Sequence, residues 1–243
     1  MRYINTLLFI LFLLPFSSLA QDTLHVGSPF ATDLLKLDQT NTYVHYQEFK
    51  DGRLLPASLK TITLTRKESE LLIIQKEFSA RGNKIIETVV DAQSLVTDSH
   101  VRTSGEQRES FQFKEEAVTV TPGDEDAVNK DFQLDLSEPT FNFEIDFIFL
   151  QAIDWHQHDA VVMNFYHPGG KIPPAYYTFK KEKEETITLA SGLEVNTWVI
   201  FTDYNGQPPA RFWISKESNE ILRNETDAME MAGFKFRKQL IEN

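Results

Sequence analysis

The stretch ETITLASGLEVNTWVIFTDYNGQPPARFWISKESNEILRNE, Glu185 to Glu225, holds the densest β signal in the chain. It reads as four short strands joined by turns. Val195, Thr197, Val199 and Phe201 point to one side of an extended strand, and Trp198, Ile200, Thr202 and Tyr204 to the other. Both sides carry large apolar residues, so this strand is expected to be covered on both faces or to line a cavity on one. Asn205-Gly206 and the prolines Pro208 and Pro209 end it, because Asn and Gly tolerate positive φ and proline cannot continue a ladder. Ser191-Gly192 and Lys216 to Asn219 mark the other turns. The stretch specifies a sheet and carries no catalytic motif.

Working towards the N-terminus, the same signal recurs at close spacing. Tyr43 to Phe49, Leu59 to Arg66, Glu70 to Phe78, Lys84 to Asp91, Leu95 to Arg102, Glu109 to Phe113 and Ala117 to Thr121 each read as a strand. Asp159 to Tyr166, Tyr176 to Lys181 and Gly233 to Leu240 extend the series. Thr32-Asp33 precedes a short apolar run that fits one helical turn. The spacing predicts about twelve strands in an antiparallel sandwich or barrel rather than βαβ units. Residues 122–138, opening with Pro-Gly-Asp-Glu-Asp, break the pattern and read as a long loop inside a single domain of residues 21–243. Thr140 to Trp155 is ambiguous. Phe141, Phe143, Ile145, Phe147 and Phe149 alternate as a strand would, yet Phe141, Ile145, Ile148, Phe149 and Ala152 share one helical face behind Thr140, a plausible N-cap.

Residues 1–20 have the form of a secretory signal peptide. Arg2 is the positive n-region, Leu7 to Phe16 the apolar core, and Ser18-Leu19-Ala20 the small-residue cleavage site. The apolar run is too short to span a bilayer, and no later run suggests a transmembrane segment. The expected address is the periplasm or the extracellular space. The chain has no cysteine, which excludes disulfides, thiolate metal sites and cysteine nucleophiles, and leans towards a bacterial envelope protein. A net charge of −12 without a basic stripe argues against nucleic acid and anionic membrane surfaces as partners.

Several segments together resemble a family of exported bacterial proteins of unknown function. They are Phe147 to Asp154, Glu185 to Gly192 with Val195 to Trp198, Phe212 to Ser215 with Ile221 to Arg223, and the turn Val90 to Leu95. The resemblance spans roughly Tyr43 to Arg223, and its motifs are structural: turn glycines, core aromatics and their spacing. It implies a mainly β fold, an open or flattened barrel of antiparallel strands, distantly similar to the open-barrel periplasmic carriers of lipoproteins. It also implies that residues 143–153 form one short helix packed on the sheet. It carries no catalytic residues across.

Candidate chemistry is sparse. His156, His158 and Asp159 could hold a metal if the segment were a strand, but their spacing is not that of a specific metal motif, and a surface loop is the simpler account. Glu144, Asp146, Asp203 and Glu182 to Glu185 supply carboxylates whose convergence sequence cannot show. Neither Ser104 nor Ser191 sits in a nucleophile elbow. No cofactor motif is present, and no cofactor is expected. The aromatics carry more weight: 19 Phe, 7 Tyr and 3 Trp. Tyr176-Tyr177 and Phe212-Trp213 are adjacent pairs, so one member of each points away from the other's face. Tyr176, Trp198, Tyr204, Phe212 and Trp213 are therefore the candidate lining of a hydrophobic cavity, against the alternative of a filled core. The expected function is non-enzymatic binding of a hydrophobic small molecule, lipid or lipidated protein in a β-concavity. A structural or protein-interaction module stands second, and a metal-dependent or carboxylate hydrolase third.

Overall fold

The β meander expected from the sequence is one continuous, open sheet. In the computed structural model, residues 22–227 and 233–241 are described; the expected leader, residues 1–20, lies outside them. The strands are β1 (Asp22–Leu24), β2 (Thr40–Phe49), β3 (Leu54–Lys67), β4 (Glu70–Ser79), β5 (Gly82–Asp91), β6 (Thr97–Ser104), β7 (Gln107–Phe113) and β8 (Ala117–Thr119). They continue as β9 (Gln133–Asp135), β10 (Phe141–Asn142), β11 (Ala160–Tyr166), β12 (Ala175–Thr188), β13 (Glu194–Thr202), β14 (Ala210–Ser215), β15 (Ile221–Thr226) and β16 (Phe234–Ile241). The order is β1-β11-β12-β13-β14-β15-β16-β2-β3-β4-β5-β6-β7-β8-β9, with β10 also on β11. All pairings are antiparallel except those of β1 and β10, which run parallel to β11. The long loop expected over 122–138 contributes the edge strand β9, which pairs with β8.

The sheet curls around α1 (Asp146–Gln151), the one α-helix among the described residues, preceded by a 3-10 turn at Phe143–Ile145. The helical reading of this ambiguous segment holds, with a different cap. Asn142 Oδ1 accepts the amide of Glu144 at 3.0 Å, while the Thr140 hydroxyl donates to the carbonyl of Asn164. Because α1 lies inside the curl, Phe147, Ile148, Phe149 and Leu150 are all buried. They pack against Tyr43, Ile62, Ile73, Phe165, Phe179, Ile200 and Phe212 from the surrounding strands. The four central residues of α1 are apolar on every side, as such a position requires, which is why its phenylalanines mimic a strand. On the outer face a second cluster gathers Ile187, Val199, Trp213 and Leu222. Val199 faces that cluster and Ile200 the interior, both fully buried, so β13 is covered on both sides.

Side chains bridge the gap between β7 and β11. Arg102 on β6 donates to the carbonyl of Pro168 at 3.1 Å. Tyr166 packs with Phe111, Phe113 and Val118. The turn after β11 approaches so closely that a Cβ on Gly169, at φ +74°, would sit 3.0 Å from the Phe111 ring. Glycine is needed there for both its left-handed backbone and the missing side chain.

Candidate functional site

Between α1 and the mouth of the curl a cavity of about 350 Å³ remains. Its apolar wall is aromatic: Phe143, Phe165, Tyr177, Tyr204 and Phe212. Tyr177 comes from β12, opposite Met163 of β11. Tyr204 sits in the turn after β13 with φ 44°, followed by Asn205 at φ 58°. Left-handed geometry is costly for a bulky side chain, and it is held by packing: Tyr204 meets Phe143 at 5.5 Å and Tyr177 at 5.6 Å between ring centroids. Burial, followed by the charge of Asp146, pushes the Tyr204 hydroxyl well above the usual phenol range. Ala210, Asn224 and Thr226 complete the wall.

The rim is charged. Asp146, His167 and Lys238 line the same cavity; Lys60 does not line it, but it shares the Phe147 ring with Lys238. Two strand registers place the lysines: Lys238 opposes His45 and Lys60 opposes Tyr43, on either side of β2. Their ammonium groups lie 5.0 and 5.9 Å from the centroid of the Phe147 ring. Burial and the repulsion of Lys238 pull Lys60 down to about 8. Burial, then Lys238 and Lys60, holds His45 neutral down to about 3. Burial raises Asp146 and lowers His167.

A second polar group ties α1 to the sheet. Buried His100 receives Thr88 and Asn142 at Nδ1, at 2.9 and 3.0 Å. Glu144 pairs with Arg102 at 2.5 Å and Lys84 at 3.5 Å. Burial pushes the Glu144 carboxyl up, but the positive groups around it outweigh that and hold it below its ordinary value.

Of the residues singled out from sequence, Tyr204 and Phe212 line the cavity. Tyr176 points outward, its hydroxyl on Glu138, and its neighbour Tyr177 takes the inward place. Trp213 is buried in the outer cluster beneath the Arg223 guanidinium, 3.7 Å from the ring. Trp198 is half-buried, with Lys216 3.9 Å from its ring centroid and His156 edge-on at 5.5 Å. The three metal candidates are not brought together: His158 bonds Asp22, His156 the carbonyl of Lys216, and Asp159 pairs with Lys181. Among the described residues no group of three potential ligands converges. Three of the carboxylates are paired separately, Glu182 with Arg211, Glu184 with Lys216 and Glu185 with Lys183, while Glu144 and Asp146 both act on Lys60 and His167.

A larger groove of about 450 Å³ lies at the other end, between the start of β2 and the turns of β12–β13 and β14–β15. Its walls mix aliphatic and hydroxyl-bearing residues with the amides of Gln39 and Asn41 and the carboxylates of Glu217 and Glu220, and no aromatic residue lines it. The aromatic cavity is the better-equipped site.

Fold and cavity together define a curled antiparallel β protein with a helix inside its concavity and an aromatic chamber beside that helix. The chain belongs to the family described as "Protein of unknown function (DUF3108)", whose profile matches residues 43–227. No curated protein matches it. Among the described residues, no helix is long and apolar enough to cross a membrane.

Proposed function

We propose that this is an exported, non-enzymatic protein of the bacterial cell envelope that binds a hydrophobic ligand, a lipid or the acyl chain of a lipidated protein. The observation that carries this reading is the aromatic chamber. It is a half-open cavity walled by Phe143, Tyr177, Tyr204 and Phe212 in a sheet otherwise filled by α1. Ligand sites are concave, mainly apolar and of ~300–1,000 Å³, and the chamber meets each condition. The signal-peptide pattern supports the exported address, and the likeness to open-barrel carriers of lipoproteins supports the ligand class.

The test is mass spectrometry of protein purified from its native envelope without detergent, combining a native spectrum with an organic extract. A stoichiometric lipid that disappears from an Ala210→Trp variant, in which the chamber wall is filled, is the expected result. A clean apo mass with no uptake of added fatty acids or phospholipids would overturn it. The second reading, a protein-interaction module, is favoured by exposed Leu54, Leu55 and Phe78 at the ends of β3 and β4, since exposed apolar groups at strand ends suit a partner surface.

A further inference from the structure

Lys60 and Lys238 present two cations to one concave face without a direct counter-ion. The carboxylates nearest them are engaged elsewhere. Glu77, opposite Lys60 in the ladder, accepts the Ser58 hydroxyl and lies 3.8 Å from His45. Glu144 is taken by Arg102 and Lys84. Asp146 accepts the amide of Phe147; its charge and those of the two lysines act on one another, but among the described residues it makes no ion pair with either of them. Among the described residues neither lysine forms an ion pair. Removing ammonium groups from bulk water without pairing them is costly. An anion held beside the Phe147 ring, where both ammonium groups gather at the Lys238 end of the chamber, would recover that cost, and the aromatic wall beside Lys238 would cover an attached apolar chain.

From this we infer that the occupant is a single-tailed amphiphile with an anionic headgroup, its carboxylate or phosphate held by Lys60 and Lys238. Its tail lies along Phe143, Tyr177, Tyr204 and Phe212. The inference rests on the hydrophobic-ligand reading above and narrows it. The size of the chamber, about 350 Å³, is at the lower end of the ligand-site range, which suits one chain better than two or three. Charge-assisted hydrogen bonds from two ammonium groups give the headgroup its selectivity.

Calorimetric titration of the mature protein with dodecanoate, lauroyl lysophosphatidate and dodecanol, each kept below micelle formation, separates the possibilities. The expected result is binding of at least one anionic amphiphile roughly tenfold or more tightly than the alcohol. Dodecanoate and the lysophosphatidate decide between carboxylate and phosphate as the headgroup. In the double variant Lys60→Met, Lys238→Met, that preference should vanish while dodecanol affinity is retained. Equal affinities for acid and alcohol in the unaltered protein would overturn the headgroup assignment and leave the hydrophobic-ligand reading standing. No binding of any of the three would overturn both. A double variant that keeps the preference would also remove the lysines from the headgroup site, and if that variant fails to fold, the comparison in the unaltered protein still decides.

Discussion

Arg102 on β6 donates from Nη1 to Glu144 Oε1 at 2.5 Å, and through this pair the entry to α1 is fastened to the far side of the curled sheet. The same guanidinium bonds Glu109 at 2.8 Å and the carbonyl of Pro168 at 3.1 Å. One arginine thus connects β6, β7, the turn after β11 and the helix. Among the described residues no ladder closes the sheet here, so side-chain bonding takes the place that backbone bonding holds elsewhere.

Replacing Glu144 by Ala should therefore be expensive. It removes the ion pair of Lys84 and one of the two carboxylates on Arg102, which keeps Glu109, while leaving both cations partly buried. The expected loss is about 2–3 kcal/mol in urea-induced unfolding. Glu144→Gln, which retains an acceptor for Arg102, should lose less. Equal losses in the two variants would mean that packing, not charge, holds the helix entry.

The two tryptophans of the opening stretch separate core from surface in a way sequence alone does not. Trp213 is 4% exposed in the outer cluster, and Trp213→Ala should cost about 3–5 kcal/mol. Trp198 is half-buried under the ammonium groups of Lys216 and Lys181. Its truncation should cost about 1–3 kcal/mol, part of it from lost cation–π contacts. Thermal unfolding of both single variants checks the order; a Trp198→Ala variant less stable than Trp213→Ala would contradict it.

Sequence made the strands legible because their alternation and turn residues act locally. Even the lysine site left a trace: Lys60 shares strand parity with buried Ile62 and Leu64, and Lys238 with Leu240, which packs on the core. Parity cannot say that the two strands flank β2, because that depends on β16 returning to pair with β2 across almost the whole chain. The same limit applies to Tyr176 and Tyr177. Their adjacency shows that one faces inward, but the choice is set by register against β11. The alternating phenylalanines around α1 were ambiguous for another reason: a helix enclosed by a sheet needs apolar residues on every side, which erases the helical period.

Acid should destabilise the fold before the carboxylates titrate, and His45 is the cleanest reporter. It sits between Lys60 and Lys238, and burial with their repulsion lowers its pKa from 6.5 to about 3. The unfolded chain takes up the proton first, so His45 contributes stability that is complete above about 6.5 and is lost as pH falls towards 3. The slope from one such group approaches about 1.4 kcal/mol per pH unit within that window. Buried His100, lowered to about 4 by burial, adds in the same direction. At the alkaline end the sign is opposite in cause but equal in direction: Lys60 loses its proton near 8 in the folded chain and near 10.5 when unfolded, so stability gains between those values as its buried charge is released. Urea unfolding across this range should show stability falling below pH 6.5 in the natural chain. In His45→Gln the fall should be shallower between pH 6.5 and 4, with the alkaline limb unchanged. An identical acid slope in the variant would place the proton uptake on other groups and show that water, rather than the two lysines and the sheet, surrounds His45.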